Sequence, residues 1–507
     1  MVSPFKRALP ARVDLAQQKS QAKELLQAFA TADPDATARV RAVLPDKARI
    51  VLADAQFVLA REYGFESWGA LKRHIDDRIA AARAPHEQMH DAMQRCDAAQ
   101  VHRLLGQHAE FRPLINAPLF PYNAPAIVAC ANDAAMVDVL LEFGADPNKR
   151  SDWWAGGFHA LHVATGAAAE RLLAAGAAPD ACAAAHLDRP ELLQSLININ
   201  PKCVSERGGD GQTPLHFARS RQVVDMLLNA GADINARDVD HRATPAEWML
   251  DRARDAGRYD LARYLVERGA STDIFLAAAL GRTDDVLAML TRDSALLDAQ
   301  TGRGRYAEIP PSSFHIYFWT IGGHRGPLDV AAQFGHEDTL TAMLPFATPV
   351  QQLRLACRRH DADLAHALLR EHPTLVESLS PDDQRAITDA AWDVDAPAVA
   401  LMLSLGFDPA TPGHDAGTAL HCASWQGSAE CVAAILRYDS GRALITRSDA
   451  HHNSSPLGWC CHGSLHGPSS GDFVKVARLL LENGAVPDAL EASDAVEELL
   501  AGWSGAG

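Results

Sequence analysis

The segment from Gly211 to Asp238 constrains the fold more than any other part of this chain, because it holds one complete helical hairpin unit. Thr213 can cap a helix by accepting a backbone N–H, and Pro214 suits the first helical turn, where its missing donor costs nothing. A second helix then carries an apolar stripe at three-to-four spacing: Val223, Val224, Leu227 and Leu228. Gly231 follows, where a left-handed C-cap is needed. Since one hairpin cannot bury such a stripe by itself, neighbouring units must cover it.

Two motifs in this unit resemble the ankyrin repeat. Thr213-Pro214-Leu215-His216 matches the helix-opening tetrapeptide of that family, and the segment 231–235 (Gly-Ala-Asp-Ile-Asn) matches its helix-closing turn. The resemblance implies an all-α fold, a solenoid of paired antiparallel helices with short hairpin fingers. It also implies that the tetrapeptide histidine ties adjacent repeats by hydrogen bonds, a position held by His162, His216 and His421.

Similar units recur along the chain and predict its domain organisation. An array of about twelve repeats, several of them degenerate, is expected over residues 85–488, with an insertion at 301–325. Residues 1–84 are helical by pattern but lack the repeat, so they predict an N-terminal helical capping segment. Residues 489–507 predict a C-terminal capping helix and a frayed tail. A chain of 507 residues would by length alone predict about three globular domains, but the repeats predict one stacked array instead.

Charge and cysteine content narrow the classes of partner and the compartment. The formal net charge of -17, from 64 acidic and 47 basic residues, argues against nucleic acid and anionic membranes and favours a neutral or basic partner. No window of about 18 apolar residues predicts a membrane span, and the first residues lack the apolar centre of a signal peptide. Nine cysteines without even spacing indicate reduced thiols. We therefore expect a cytoplasmic protein, and the alanine-rich composition with more Arg than Lys suggests a bacterial source.

One column of side chains across the C-terminal repeats predicts a binding surface. The inner helices align on a pair of small residues, and the position just after the pair is expected to face the concave groove. In five consecutive units that position holds Gln333, Arg358, Trp392, Trp425 and His462. Large aromatic side chains beside Arg or His are typical of interface anchors. Alternatively, the 301–325 insertion folds onto the column and buries it as a second small core.

The resemblance implies binding rather than catalysis, since ankyrin arrays hold a partner protein or peptide in the groove between fingers and inner helices. A non-catalytic scaffold without cofactor is therefore the first expectation. The alternative is an enzyme or small-molecule binder whose pocket lies between the insertion and the C-terminal repeats. Besides Trp392, Trp425 and His462, that pocket would be lined by His315, Tyr317, His324, Arg325 and His451.

A cluster of thiols and imidazoles near the C-terminus raises the question of a metal site. Cys460, Cys461 and His462 are consecutive, and His466 follows, but the spacing matches no recognised zinc motif. The two cysteines occupy the small-residue pair between repeats, where buried thiols fit well. The sequence therefore predicts no metal and no catalytic residue.

Overall fold

The computed structural model describes residues 5–7, 9, 15–45, 47, 49–82, 85–251, 256–302, 314–486 and 491–503. These residues form helices and turns, with a single isolated antiparallel bridge between Phe120 and Ala124 as their only β feature. The predicted all-α class is confirmed. Across the described part of the chain, every helix is too short or too polar to span a bilayer. The chain divides into a central unit, Ala84–Ala347, and a terminal unit, Met1–Arg83 with Thr348–Gly507.

The N-terminal part of the terminal unit is a small helical bundle. Its helices are α1 (Leu15–Ala30), α2 (Pro34–Val43), α3 (Leu52–Glu62) and α4 (Trp68–Ala82). Asp33 caps α2 by accepting the backbone N–H of Ala36, and Pro34 occupies the first helical position. Glu62 is buried at the end of α3, where Arg39 neutralises it at 2.8 Å.

The central unit is a succession of short helix pairs joined by tight turns. Its α-helices are α5 (Pro85–Gln94), α6 (Ala98–Gln107), α7 (Ala126–Ala129), α8 (Ala134–Glu142), α9 (Gly166–Ala174), α10 (Ala181–His186), α11 (Pro190–Ile199), α12 (Pro214–Phe217), α13 (Arg221–Asn229), α14 (Pro245–Trp248), α15 (Ala256–Glu267), α16 (Ile274–Ala279), α17 (Thr283–Arg292), α18 (Phe314–Thr320), α19 (Pro327–Phe334) and α20 (Glu337–Met343). Short 3-10 helices lie at Ala109–Leu114, Pro121–Asn123, Ala160–His162, Pro201–Ser205, Gly209–Gly211, Ser294–Asp298 and Leu344–Phe346. Inner helices α10, α12 and α14 pack in succession, as do outer helices α11, α13 and α15. Each helix pair thereby covers the apolar stripe of the neighbouring helix pair.

The C-terminal part of the terminal unit repeats this arrangement. Its α-helices are α21 (Pro349–Arg358), α22 (Ala362–Glu371), α23 (Pro381–Gln384), α24 (Ala386–Trp392), α25 (Ala396–Leu405), α26 (Ala419–Trp425), α27 (Ala429–Leu436), α28 (Asp439–Arg442), α29 (Pro456–His466), α30 (Phe473–Glu482) and α31 (Asp494–Gly502), with a 3-10 turn at His414–Ala416. Inner helices α24, α26 and α29 pack side by side, and outer helices α25, α27 and α30 do the same. Helix α29 is longer than the other inner helices of this part and runs to His466, with Gly467 at its C-cap.

The two ends of the chain meet within the terminal unit. Helix α31 packs on α30 and also on α3 of the N-terminal bundle. Lys19 pairs with Glu497, and Lys72 pairs with Asp494. The domain boundaries remain a prediction, and this contact between the N-terminal segment and the last helix is a feature that the sequence did not predict.

Buried histidines tie neighbouring repeats together, as the resemblance implied. Nδ1 of His216 accepts the backbone N–H of Thr213 at 3.1 Å, and Nε2 donates to the carbonyl of Ala243 in the next finger at 3.1 Å. His421 makes the equivalent bond to Ser454 at 3.1 Å, and Nε2 of His162 meets the Asp180 carboxylate at 3.0 Å. Burial lowers the pKa of His216 to about 4, so this bridge is neutral near pH 7.

Candidate functional site: an aromatic cavity in the terminal unit

Three inner helices and two fingers of the terminal unit enclose a cavity of about 560 Å³. We call it the aromatic cavity. Its lining residues are Trp392, Asp415, Trp425, His452, Ser454, Gly458, Trp459, His462 and Glu491. The volume falls in the range of sites that hold a small molecule or a side chain of a partner.

The helices place two tryptophans at equivalent positions. Trp392 is the last residue of α24, and Trp425 is the last residue of α26. His462 lies on the longer helix α29, which can continue past the end of α26 because Gly463 has no side chain. A Cβ atom at Gly463 would lie 2.6 Å from the Trp425 carbonyl oxygen. The close approach of these helices therefore depends on that glycine.

A finger histidine supports Trp392. The imidazole of His414 stacks on the indole with ring centroids 4.2 Å apart and planes 13° apart. Nε2 of His414 lies 3.6 Å from the buried carboxylate of Asp389, which Arg385 also contacts at 3.2 Å. This chain of contacts fixes the orientation of the Trp392 ring from one side.

Trp459 forms the buried wall of the aromatic cavity and is locked by a finger carboxylate. Its side chain is 6 % exposed, and its Nε1 donates to Asp449 at 2.9 Å. Asp449 also accepts the backbone N–H groups of His451, His452 and Ser454. Burial opposes ionisation of Asp449, but these four hydrogen bonds outweigh it and lower the pKa of the carboxyl to about 2. The finger is thereby held against the inner helix.

Trp425 lies between the buried wall and the histidines of α29. Its ring is edge-on to Trp459 at 6.3 Å and tilted against His462 at 5.3 Å, while His466 lies 4.5 Å beyond His462. Trp392 and Trp425 are both partly buried and pack against the apolar core. The cavity therefore presents fixed aromatic surfaces, which is the form that binding anchors take.

The predicted column is brought together only in part. Trp392, Trp425 and His462 line the aromatic cavity. Arg358 belongs to the terminal unit but does not line the cavity; its guanidinium lies 3.5 Å from Asp393. Gln333 belongs to the central unit, where its amide donates to the carbonyl of Ile321 at 3.1 Å.

The residues of the predicted small-molecule pocket lie in different environments. Tyr317 is a core residue rather than a pocket lining: it is fully buried and donates its hydroxyl to Asp273 at 2.9 Å. Ile316 and Ile321 of the same apolar run are also buried, whereas Trp319 is 55 % exposed. Residues 303–313 and the side chain of His315 lie outside the described residues.

The other members of that pocket lie near the ends of the insertion and in a finger. His324 and Arg325 donate their backbone N–H groups to Thr301 within the central unit, at 3.0 and 2.9 Å. His451 is exposed and is not a lining residue of the aromatic cavity, whereas its neighbour His452 is.

The paired thiols are buried between repeats, where the sequence placed them. Cys460 and Cys461 are 0 % and 1 % exposed, and the Cys460 thiol donates to the carbonyl of Phe473 at 3.3 Å. Burial raises the pKa of Cys461 to about 11 and that of Cys460 well above its usual range. Because the thiolate is the nucleophilic and metal-binding form, this environment suits packing rather than chemistry.

Sequence reasoning missed the finger residues of the aromatic cavity. Asp415 stands three residues before Thr418, as Asp210 stands before Thr213, and both have positive φ angles of 44° and 56°. That spacing was a readable signal for a shared turn. Glu491 had no such signal, because it follows the last clear repeat.

A second group of exposed aromatics, also missed, lies in the fingers of the central unit. Trp154 is 67 % exposed and Tyr122 is 53 % exposed, and Trp153 contacts both rings at 5.9 and 5.1 Å. Two consecutive tryptophans in a turn are the sequence signal for this group.

Stacked pairs of short helices, joined by fingers and tied by buried histidines, define a helical repeat protein. The family model described as ankyrin repeats, in three copies, matches residues 181–275. Residues 181–275 are therefore ankyrin repeats, and the chain contains an ankyrin repeat region. None of the curated proteins matches the chain.

Proposed function

We propose that this protein is a non-catalytic scaffold that holds a partner protein or peptide at the aromatic cavity of its terminal unit. Ankyrin repeats are generally protein-interaction modules. The observation that carries the proposal is the convergence of Trp392, Trp425 and His462 on one cavity whose walls are fixed by packing. Partly exposed tryptophans on a rigid frame are favourable anchors, because little conformational entropy is lost when a partner covers them.

The alternative function, catalysis or small-molecule binding between the 301–325 insertion and the C-terminal repeats, has less support. Tyr317, the tyrosine of that predicted lining, is fully buried in the core of the central unit. Cys460 and Cys461, the nearest nucleophiles to His462 in sequence, are held as buried thiols.

A displayed library of random peptides tests the proposal. We expect the wild-type protein to select peptides that no longer bind when Trp392→Ala and Trp425→Ala are combined. Trp503→Ala is the matched control, since Trp503 is also a partly buried tryptophan of the terminal unit but does not line the aromatic cavity. Peptides that bind both variants equally well, or a selection without any cavity-dependent binder, contradict the proposal.

A further inference from the structure

The carboxylates that line the aromatic cavity give it a negative charge. Asp415 and Glu491 are exposed carboxylates on its wall, contributed by a finger and by the segment before α31. Among the described residues that line it there is no Lys or Arg; the other ionisable groups are the imidazoles of His452 and His462. An anionic ligand group would therefore meet repulsion, while a cation would be attracted.

The aromatic walls favour the same kind of ligand. The face of an indole ring carries a negative potential and attracts an ammonium or guanidinium group, most strongly where water is displaced. Three tryptophans, Trp392, Trp425 and Trp459, line this one cavity. The stack on His414 sets the orientation of Trp392, and the bond to Asp449 sets that of Trp459, so these two rings need not reorganise when a cation enters.

The charge of the whole chain acts in the same direction. A formal net charge of -17 attracts basic segments at a distance and raises their rate of encounter at low salt. Long-range attraction, carboxylates and aromatic faces thus all select for a positively charged partner.

We propose that the aromatic cavity takes the cationic side chain of a basic peptide segment, with arginine preferred over lysine. This inference rests on the proposed function. Arginine is preferred because its planar guanidinium can stack on an indole and still donate paired hydrogen bonds to Asp415 or Glu491. A lysine ammonium supplies the charge without the planar stack.

Four pentapeptides provide the test by isothermal titration calorimetry on the full chain at low salt. Each is acetylated and amidated, has alanines on both sides, and carries arginine, lysine, citrulline or glutamate at its centre. Citrulline keeps the shape of arginine without the charge. We expect the arginine peptide to bind at least about tenfold more tightly than the citrulline peptide, with an affinity that falls as salt is added.

Removing the two carboxylates is the second arm. Asp415→Asn combined with Glu491→Gln should reduce the preference for arginine over citrulline to less than about threefold, while citrulline binding is unchanged. Asparagine tolerates the positive φ of residue 415, so the finger should keep its conformation. Glu371→Gln with Glu482→Gln removes the same charge from exposed positions outside the cavity and should keep the preference.

The outcomes separate this inference from the proposed function. If the citrulline or glutamate peptide binds as tightly as the arginine peptide, the cation is not recognised and the inference is wrong, although the cavity still binds peptides. If library peptides bind through Trp392 and Trp425 but lack basic residues, the inference is again overturned and the proposed function stands. If neither the pentapeptides nor the library gives a cavity-dependent binder, both proposals fall.

Discussion

Two repeats with nearly the same skeleton, Thr213–Ser220 and Thr418–Trp425, have different surfaces. In both, the histidine at the fourth position caps its own helix and bonds to the carbonyl of the next finger at 3.1 Å. They diverge at the eighth position. Ser220 caps the following helix by accepting the N–H of Val223, whereas Trp425 lines the aromatic cavity and Ser428 takes over the capping role.

The fingers of these two repeats differ in the same way. Asp210 is partly buried beside Asp238 and Asp240, and burial followed by the charge of Asp240 raises its pKa to about 6. Asp415, at the equivalent place, is exposed on the wall of the aromatic cavity. In the central repeat these positions are therefore taken up by capping and packing, whereas in the terminal repeat Trp425 and Asp415 line the aromatic cavity, where we propose that a partner binds.

The largest expected effect comes from the buried wall. Trp459→Ala should lower the free energy of unfolding by about 3–5 kcal/mol, because a 6 % exposed indole and its bond to Asp449 are both lost. Urea unfolding followed by circular dichroism measures it, with Trp459→Phe as the control that keeps most of the volume. A loss below about 1 kcal/mol would mean that the wall is not part of the core.

The histidine bridges should respond alike in the two repeats. His216→Ala and His421→Ala should each cost about 2–4 kcal/mol, because each leaves a cavity and unpaired buried groups between neighbouring repeats. Urea unfolding of both variants gives the two values. Losses that differ by more than about 2 kcal/mol would break the equivalence of the skeletons.

The pH dependence of stability tests the environment of the Asp210 carboxyl in the central finger. Because the pKa of Asp210 is raised in the folded state to about 6, its contribution to stability is present below pH 4 and is lost as the pH rises through 6. Asp210→Asn should therefore stabilise the protein by about 2 kcal/mol at pH 8, with a gain that vanishes near pH 4. Asparagine also tolerates the positive φ at this position.

Unfolding titrations from pH 4 to 8 measure the difference between Asp210→Asn and wild type. Subtracting the two curves removes the opposite trend of His159, His186 and His216, whose pKa values are lowered to about 4, mainly by burial. Asp415→Asn makes the same substitution at the exposed equivalent position and serves as the matched control. An equal gain from both variants would show that the fingers have the same environment.

Much of this contrast could be read from the sequence, and some of it could not. The histidine bridges were implied by the resemblance of the tetrapeptides to the ankyrin repeat, and the tryptophans at the ends of α24 and α26 followed from alignment of the inner helices. The finger contribution was missed. The spacing of Asp415 before Thr418 signals a shared turn but not which residues line the cavity, and the placement of Glu491 has no helical period to reveal it. Tyr317 was misplaced since an apolar run in an insertion looks the same whether it packs or binds.

The smallest expected effect on stability is at Trp425, the eighth position of the terminal repeat, where the two repeats diverge. Trp425→Ser, which gives the residue found at position 220, should cost about 1 kcal/mol, because the ring is only partly buried. Peptide binding should nevertheless be lost, which titration calorimetry with a library-selected peptide measures. A loss of about 3 kcal/mol or more would instead make Trp425 a core residue.

Fluorine NMR of protein labelled with 5-fluorotryptophan tests most directly where the partner binds. The chain has nine tryptophans, and single Trp→Phe variants assign their resonances. When a library-selected peptide is added, we predict that the signals of Trp392, Trp425 and Trp459 shift while those of Trp153, Trp154 and Trp248 stay in place. Shifts confined to the central unit would contradict the assignment of binding to the aromatic cavity.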